Sequence, residues 1–129
     1  MFVISLTVAC STGVVFVIAG LVMMYFPPKK INPVYGYRTV RSCKNQRNWD
    51  FAQRHGARMM LLTGIGNIMV SGAMFVLLVH FGFRDSTLCH CCVALQLGLL
   101  IPTVLLAIIP TEIALKRLEA QEADIRLRP

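Results

Sequence analysis

The sequence predicts an all-α membrane protein: three transmembrane helices, with an amphipathic interfacial helix in the first loop. Three observations predict it. Hydrophobic residues make up 56% of the chain, charged residues only 15%, and the mean hydropathy is +0.64, whereas soluble domains carry about 25% charged residues. The apolar residues come in blocks, for residues 1–28, 59–83 and 86–111 contain no charged side chain, and each block exceeds the roughly 20 apolar residues that cross a bilayer core of about 30 Å. None of the blocks has the solvated polar face that a helix of a soluble bundle needs. The 129 residues make a single domain, with spans near 2–26, 59–81 and 88–109, a loop at 27–58 and a tail at 110–129.

The first span is too long for a secretory signal and has no basic residue ahead of it, since the first cation is Lys29. It is expected to be a retained anchor. Ser5, Ala9 and Gly13 recur every fourth residue. Such a stripe is either a face against which another helix packs closely or part of a plain lipid-facing helix. Tyr25 and Phe26 stand where an interfacial aromatic belt would. Pro27 and Pro28 lack the amide hydrogen that a helix needs, so the helix should end there.

The loop is the most distinctive stretch. It holds eight of the thirteen Lys and Arg residues (Lys29, Lys30, Arg38, Arg41, Lys44, Arg47, Arg54 and Arg58) and a single acid, Asp50, so it carries the whole net charge of +7. Asn32-Pro33 reads as a turn, and Tyr35-Gly36-Tyr37 sets a flexible residue between two rings. From Lys44 onward Trp49, Ala52, Gly56 and Met59 recur at spacings of three and four. That pattern predicts an amphipathic helix on the membrane surface, leading into the second span and capped by Ser42 or Asn45.

In the second span Thr63, Asn67 and Ser71 form a polar stripe. An amide in hydrocarbon needs a partner, so Asn67 should face the bundle interior. The short connection 82–87 makes the second and third spans an antiparallel hairpin. In the third span Gln96 and Thr103 share a face with Cys89 and Cys92, and Pro102 predicts a kink. Gln96 and Asn67 either hydrogen-bond across the hairpin or bond to their own backbones. In the tail Glu112–Lys116, Glu122–Arg126 and Asp124–Arg128 are acid-then-base pairs one turn apart, which suggests a solvated helix without site chemistry.

Short loops rich in Lys and Arg stay in the cytoplasm. Loop and tail together hold twelve of the thirteen. The expected location is therefore a plasma membrane, with the N-terminus outside and the C-terminus cytoplasmic.

Several function classes are disfavoured. No span holds paired carboxylates, and the chain has neither G-x-S-x-G, H-E-x-x-H nor a phosphate loop. No enzyme activity, cofactor or nucleic-acid partner is expected. No acid or base lies in a membrane core, which argues against a proton-coupled pump. The run Cys89-His90-Cys91-Cys92 invites a metal, with His80 as a further donor, but these side chains diverge around a helix. Soft residues packed in an apolar helix is the preferred reading, so no metal is expected. Nor do the five cysteines read as a disulfide framework, because three of them crowd into four residues of one helix.

The loop has two readings. It is either a positive anchor on anionic headgroups or a folded element that holds Arg38 beside backbone amides to bind a phosphate or carboxylate. The residues Asn32-Pro33-Val34-Tyr35-Gly36-Tyr37-Arg38-Thr39, followed by Ser42, Lys44-Asn45, Trp49, Ala52 and Gly56, resemble the signature of the SdpI family of bacterial membrane proteins. The resemblance covers residues 27–58. Val40, Cys43 and Gln53 stand where that family often has Pro, Met and Asn.

The resemblance implies the three-span layout and placement in a bacterial plasma membrane. It also implies immunity to a secreted killing peptide, coupled to capture of a cytoplasmic repressor at the membrane. Arg38 is then the charged anchor of a binding element, Tyr35, Tyr37 and Trp49 set it at the interface, and Asn32, Ser42 and Asn45 brace it. The partners so implied are a toxin peptide or a repressor; the loop's charge adds anionic lipid headgroups, and homo-oligomers are compatible with either. The alternatives are a small transporter or lipid-handling protein with an anionic ligand at Arg38, or an accessory subunit that docks through the stripe of small residues in the first span.

Overall fold

The computed structural model describes residues 2–83 and 85–127, with residues 2 and 85 as backbone only. The described residues form three helices, α1 (Phe2–Tyr25), α2 (Gln46–His80) and α3 (Asp85–Leu127). All three are long and apolar enough to cross a membrane. α1 stops one residue before Phe26, just ahead of the two prolines.

Three features depart from the sequence expectation. The amphipathic stretch 46–58 is not a separate element, because α2 runs unbroken from Gln46 to His80. No proline interrupts that stretch, and its buried residues continue the face that α2 turns inward lower down. Likewise α3 passes through both Pro102 and Pro110 to Leu127, so the tail extends the third span. The connection is also shorter than expected, since α3 begins at Asp85. Gly82 turns the chain there with φ of +83°.

Small residues bring α1 and α2 into backbone contact. A Cβ added to Gly13 would sit 2.7 Å from the Gly64 carbonyl oxygen, and one added to Gly64 would sit 2.7 Å from the Val17 nitrogen. Two turns nearer the loop, a Cβ on Gly20 would lie 2.9 Å from the Ala57 carbonyl oxygen. Ser5 and Ala9 continue the same face and are buried. The stripe is thus occupied inside the molecule, and the accessory-subunit reading loses the contact surface assigned to it.

α3 closes the bundle by different means. At the end away from the loop, Ala9, Phe75, Leu88 and Cys92 form a small apolar cluster. Toward the middle a file of polar side chains joins α2 to α3. Gln96 Nε2 donates to Ser71 Oγ (3.2 Å), Ser71 Oγ donates to Asn67 Oδ1 (3.4 Å), and Asn67 Nδ2 donates to Thr103 Oγ1 (2.9 Å). Asn67 and Gln96 therefore meet through Ser71 and not directly, for Ser71 lies on the same stripe between them. Gln96 Oε1 is buried without a partner among the described residues. Thr63, the third member of the stripe, donates back to Met59 of its own helix. All five cysteines are free thiols, and among the described residues no three metal-ligating side chains converge.

Candidate functional site

The loop folds against the N-terminal part of α2 and the C-terminal part of α3 as a compact wedge, built from local turns upward. Asn32 Oδ1 accepts from the amides of Val34 and Tyr35 while its Nδ2 donates to the Lys30 carbonyl, which fixes the turn before the aromatic pair. Tyr35 Oη donates to the Phe26 carbonyl, tying the turn to the end of α1. Gly36 has φ of +112°, and a Cβ there would lie 2.5 Å from Gln53 Oε1. Only glycine fits this position between the two tyrosines.

Tyr37 is the centre of the wedge and is 6% exposed. Its amide donates to Gln53 Oε1 (2.7 Å) and its carbonyl accepts from Gln53 Nε2 (2.9 Å), so one side chain of α2 pairs both ends of the residue as a neighbouring strand would. The Tyr37 hydroxyl points to α3, within 3.2 Å of both the Ile108 carbonyl and Glu112 Oε1. Burial first, and then the Glu112 carboxylate, push this phenol far above its ordinary value, so it stays a proton donor. Thr39 Oγ1 donates to the same Glu112 oxygen at 2.6 Å. Ser42 Oγ accepts from the Thr39 amide and faces the carbonyls of Tyr37 and Thr39. Asn45 caps α2 by accepting from the Asn48 amide at 2.8 Å. Trp49 is fully buried and donates from Nε1 to the Pro28 carbonyl.

Tyr37 and Trp49 are thus enclosed by the protein itself, not turned outward to an interface. Each has a polar tip that a backbone carbonyl or carboxylate satisfies, which lets a large ring sit inside. Tyr35 alone of the three keeps substantial exposure, 37%.

The tail supplies the counter-charge. Arg41 reaches Glu119 at 2.7 Å and Glu112 at 3.7 Å, Lys44 reaches Glu119 at 3.2 Å, and Arg47 pairs with Glu122. Asn48, buried, donates to both Glu119 Oε1 and the Arg41 carbonyl. Hydrogen bonding from Lys44, opposed by partial burial and joined by Asn48 and Arg41, lowers the Glu119 pKa. The acids of α3 therefore reach across to the loop, and Glu112 and Glu122 pair there instead of with Lys116 and Arg126 along the helix. Arg128, partner of Asp124 in the third expected pair, lies outside the described residues. The tail is therefore not wholly solvated: its inner face carries Glu112, Glu119 and Glu122 against the loop.

After these pairs Lys29, Lys30, Arg38, Arg54 and Arg58 stand without an ion pair among the described residues. Arg38 is exposed and its side chain makes no bond there, yet its neighbours Tyr37 and Thr39 are both fixed. His55 Nδ1 lies 3.1 Å from Thr111 Oγ1, joining α2 to α3 just above the span, and burial, then Arg58, lowers its pKa.

Sequence reasoning missed Gln53, Asn48, Glu112 and Glu119. The amides carry no charge or periodicity that would single them out. The acids were open to discovery, for a loop of +7 needs counter-charge and Glu112 and Glu119 lie two turns apart on one face.

Comparison with known proteins follows the same stretch. The chain is 51% identical over 53 residues to "Uncharacterized protein YfhL" of Bacillus subtilis (strain 168), a match over 41% of this chain and 48% of that protein. The match thus spans about half the length of that curated relative. No solved structure matches the chain. The model of the SdpI/YfhL protein family matches residues 29–113, which takes in the loop, the second span and the third span as far as the first acid of the tail; the chain belongs to the SdpI/YfhL family.

Proposed function

We propose that this chain is a non-catalytic immunity and sensing protein of the bacterial plasma membrane, with its N-terminus outside and the loop–tail wedge in the cytoplasm. The wedge is the recognition element. Arg38 is its anchor for an anionic group on a protein partner, either the killing peptide or a repressor.

One observation carries this reading. The motif side chains around Arg38 turn inward and hold the backbone, while the guanidinium between them is left exposed and unpaired among the described residues. A cation whose backbone is already fixed loses less freedom on meeting a carboxylate or phosphate, and guanidinium meets either with two parallel bonds. Other cations of the loop are neutralised by α3, so the loop is not simply a diffuse positive anchor. The orientation rests on the Lys and Arg of loop and tail, which the fold brings to one end of the bundle.

The test is survival of a toxin-sensitive Bacillus lacking its own immunity gene. Expression of the chain should protect it from the killing peptide. Arg38→Ala should abolish protection while leaving membrane insertion and protein level unchanged. Protection by Arg38→Ala equal to that of the unaltered chain would overturn the assignment of Arg38. A well-inserted, unaltered chain that gives no protection would overturn the immunity reading.

A further inference from the structure

The unpaired cations of α2 and α3 stand beside three adjoining hollows that share lining residues. Near the loop, a hollow of about 380 Å³ is lined by Arg54, His55 and Arg58, with Phe51 and Leu118. A second, of about 460 Å³, shares Phe51, His55 and Leu118 and adds Arg117 and Pro110. Pro110 also lines a third hollow of about 470 Å³ that descends between the spans. The walls of this trough are mostly apolar, with Leu62, Gly66 and Val70 on one side and Leu99, Pro102 and Leu106 on the other, and its polar residues Thr63, Asn67 and Thr103 already spend their hydrogen bonds within the bundle. Among the described residues, no Asp or Glu lines any of the three.

The sequence changes character at the level where the groove does. Arg58 is the last charged residue of α2 before 25 uncharged ones, and Pro110 comes just before the first acid of the tail. The upper part thus lies at headgroup depth and the trough at acyl depth. Gly66 opens the trough, since a Cβ there would meet nothing within 4 Å. Arg54, Arg58 and Arg117 make no ion pair among the described residues. Hollows of this size are typical of small-ligand sites, and this one joins clustered positive charge to a hydrocarbon wall.

We propose that the α2–α3 groove is a binding site for one anionic phospholipid, its phosphate held by Arg54, Arg58 and Arg117 and an acyl chain laid along Gly66 and Pro102. The shape and charge are complementary to such a molecule and to few others. The phosphate takes charge-assisted bonds from guanidinium groups, and the chain fills a trough in which water would find almost no partners. The site differs from the one assigned to Arg38, which lies on the loop.

The test is lipid retention. The full chain is reconstituted in vesicles of phosphatidylcholine with a minor fraction of phosphatidylglycerol, extracted in mild detergent, and weighed with its bound lipid by native mass spectrometry. The unaltered chain should retain one phosphatidylglycerol in preference to phosphatidylcholine. Arg54→Ala with Arg58→Ala should lower that occupancy roughly tenfold or more. Gly66→Phe places its ring in open space and should lower occupancy by both lipids with the helical content unchanged. Lys29→Ala with Lys30→Ala removes the same charge from the loop and should leave retention within about twofold. The proposal is overturned if the unaltered chain holds no lipid, if it holds both lipids equally, if the Lys29 and Lys30 changes act as strongly as those at Arg54 and Arg58, or if Gly66→Phe retains lipid fully. The readout does not involve toxin survival, so failure here leaves the immunity reading standing.

Discussion

The two seams of α2 are closed in opposite ways. Toward α1, glycines at 13, 20 and 64 bring main chain against main chain, and no side chain fits between. Toward α3, the helices meet through a file of amides and hydroxyls in the middle and through the loop wedge at one end, with an open trough between. Gly64 and Gly66 are two residues apart in sequence and belong to opposite regimes. One would drive a methyl into the backbone of α1, the other into empty space. In lipid there is little hydrophobic drive to bring helices together, so a seam must be made by close packing or by polar bonds. This molecule uses the first for its fixed pair and the second where its site lies.

That contrast is sharpest if the same change is made on both faces. Gly64→Leu should destabilise the chain by roughly 3 kcal/mol, the upper end of the overpacking range, because the obstacles are backbone atoms that cannot turn aside. Gly66→Leu should cost no more than about 0.5 kcal/mol, as a substitution that touches nothing does. Reversible unfolding in mixed micelles measures both. A loss of similar size at Gly66 would show that the α2–α3 seam is closed and the trough absent.

The wedge comes next. Gly36→Ala imposes both a positive φ and a clash with Gln53 Oε1, and strain of this kind costs about 1–3 kcal/mol. The effect should be local: the loop leaves α2 and α3 while α1 and α2 remain joined. Trp49 is the chain's single tryptophan and is fully buried beneath the loop. Its emission should shift to the red in Gly36→Ala, and helical content should hold. Loss of helix together with the shift would mean that the two seams are not independent.

How much of this was open to reading follows the same division. Apolar length is a local pattern, so the spans were legible, whereas the four-residue spacing of Ser5, Ala9 and Gly13 left a packing face and a lipid-facing helix equally open. The turn and cap roles of Asn32 and Asn45 were legible too, because each acts on amides two or three residues away. The α3 side of the site was not, since Glu112 and Glu119 find partners more than 70 residues distant. With no three-dimensional neighbour in view, the nearest base along the helix was the natural partner. The inward turn of Tyr37 and Trp49 was hidden for a related reason. An amphipathic ring suits an interface and a satisfied core alike, and only the carbonyls of Ile108 and Pro28 decide between them.

The smallest expected effect is electrostatic and belongs wholly to the wedge. Glu119 is held as a carboxylate by Lys44, Asn48 and Arg41, so its folded pKa lies below its unfolded one. The unfolded chain then binds the proton more readily. The Glu119 contribution is therefore present above the unfolded carboxylate value of about 4.3 and is lost as pH falls through the lower folded value. Because the pairs are partly exposed, each counts for well under a buried bond. Trp49 emission should therefore stay constant from neutral pH down to about 5 and then move slightly to the red in more acid solution. Glu119→Gln should flatten that acid response while leaving the Gln53–Tyr37 pairing, and hence most of the wedge, in place. An unchanged acid response in Glu119→Gln would show that the transition does not come from Glu119.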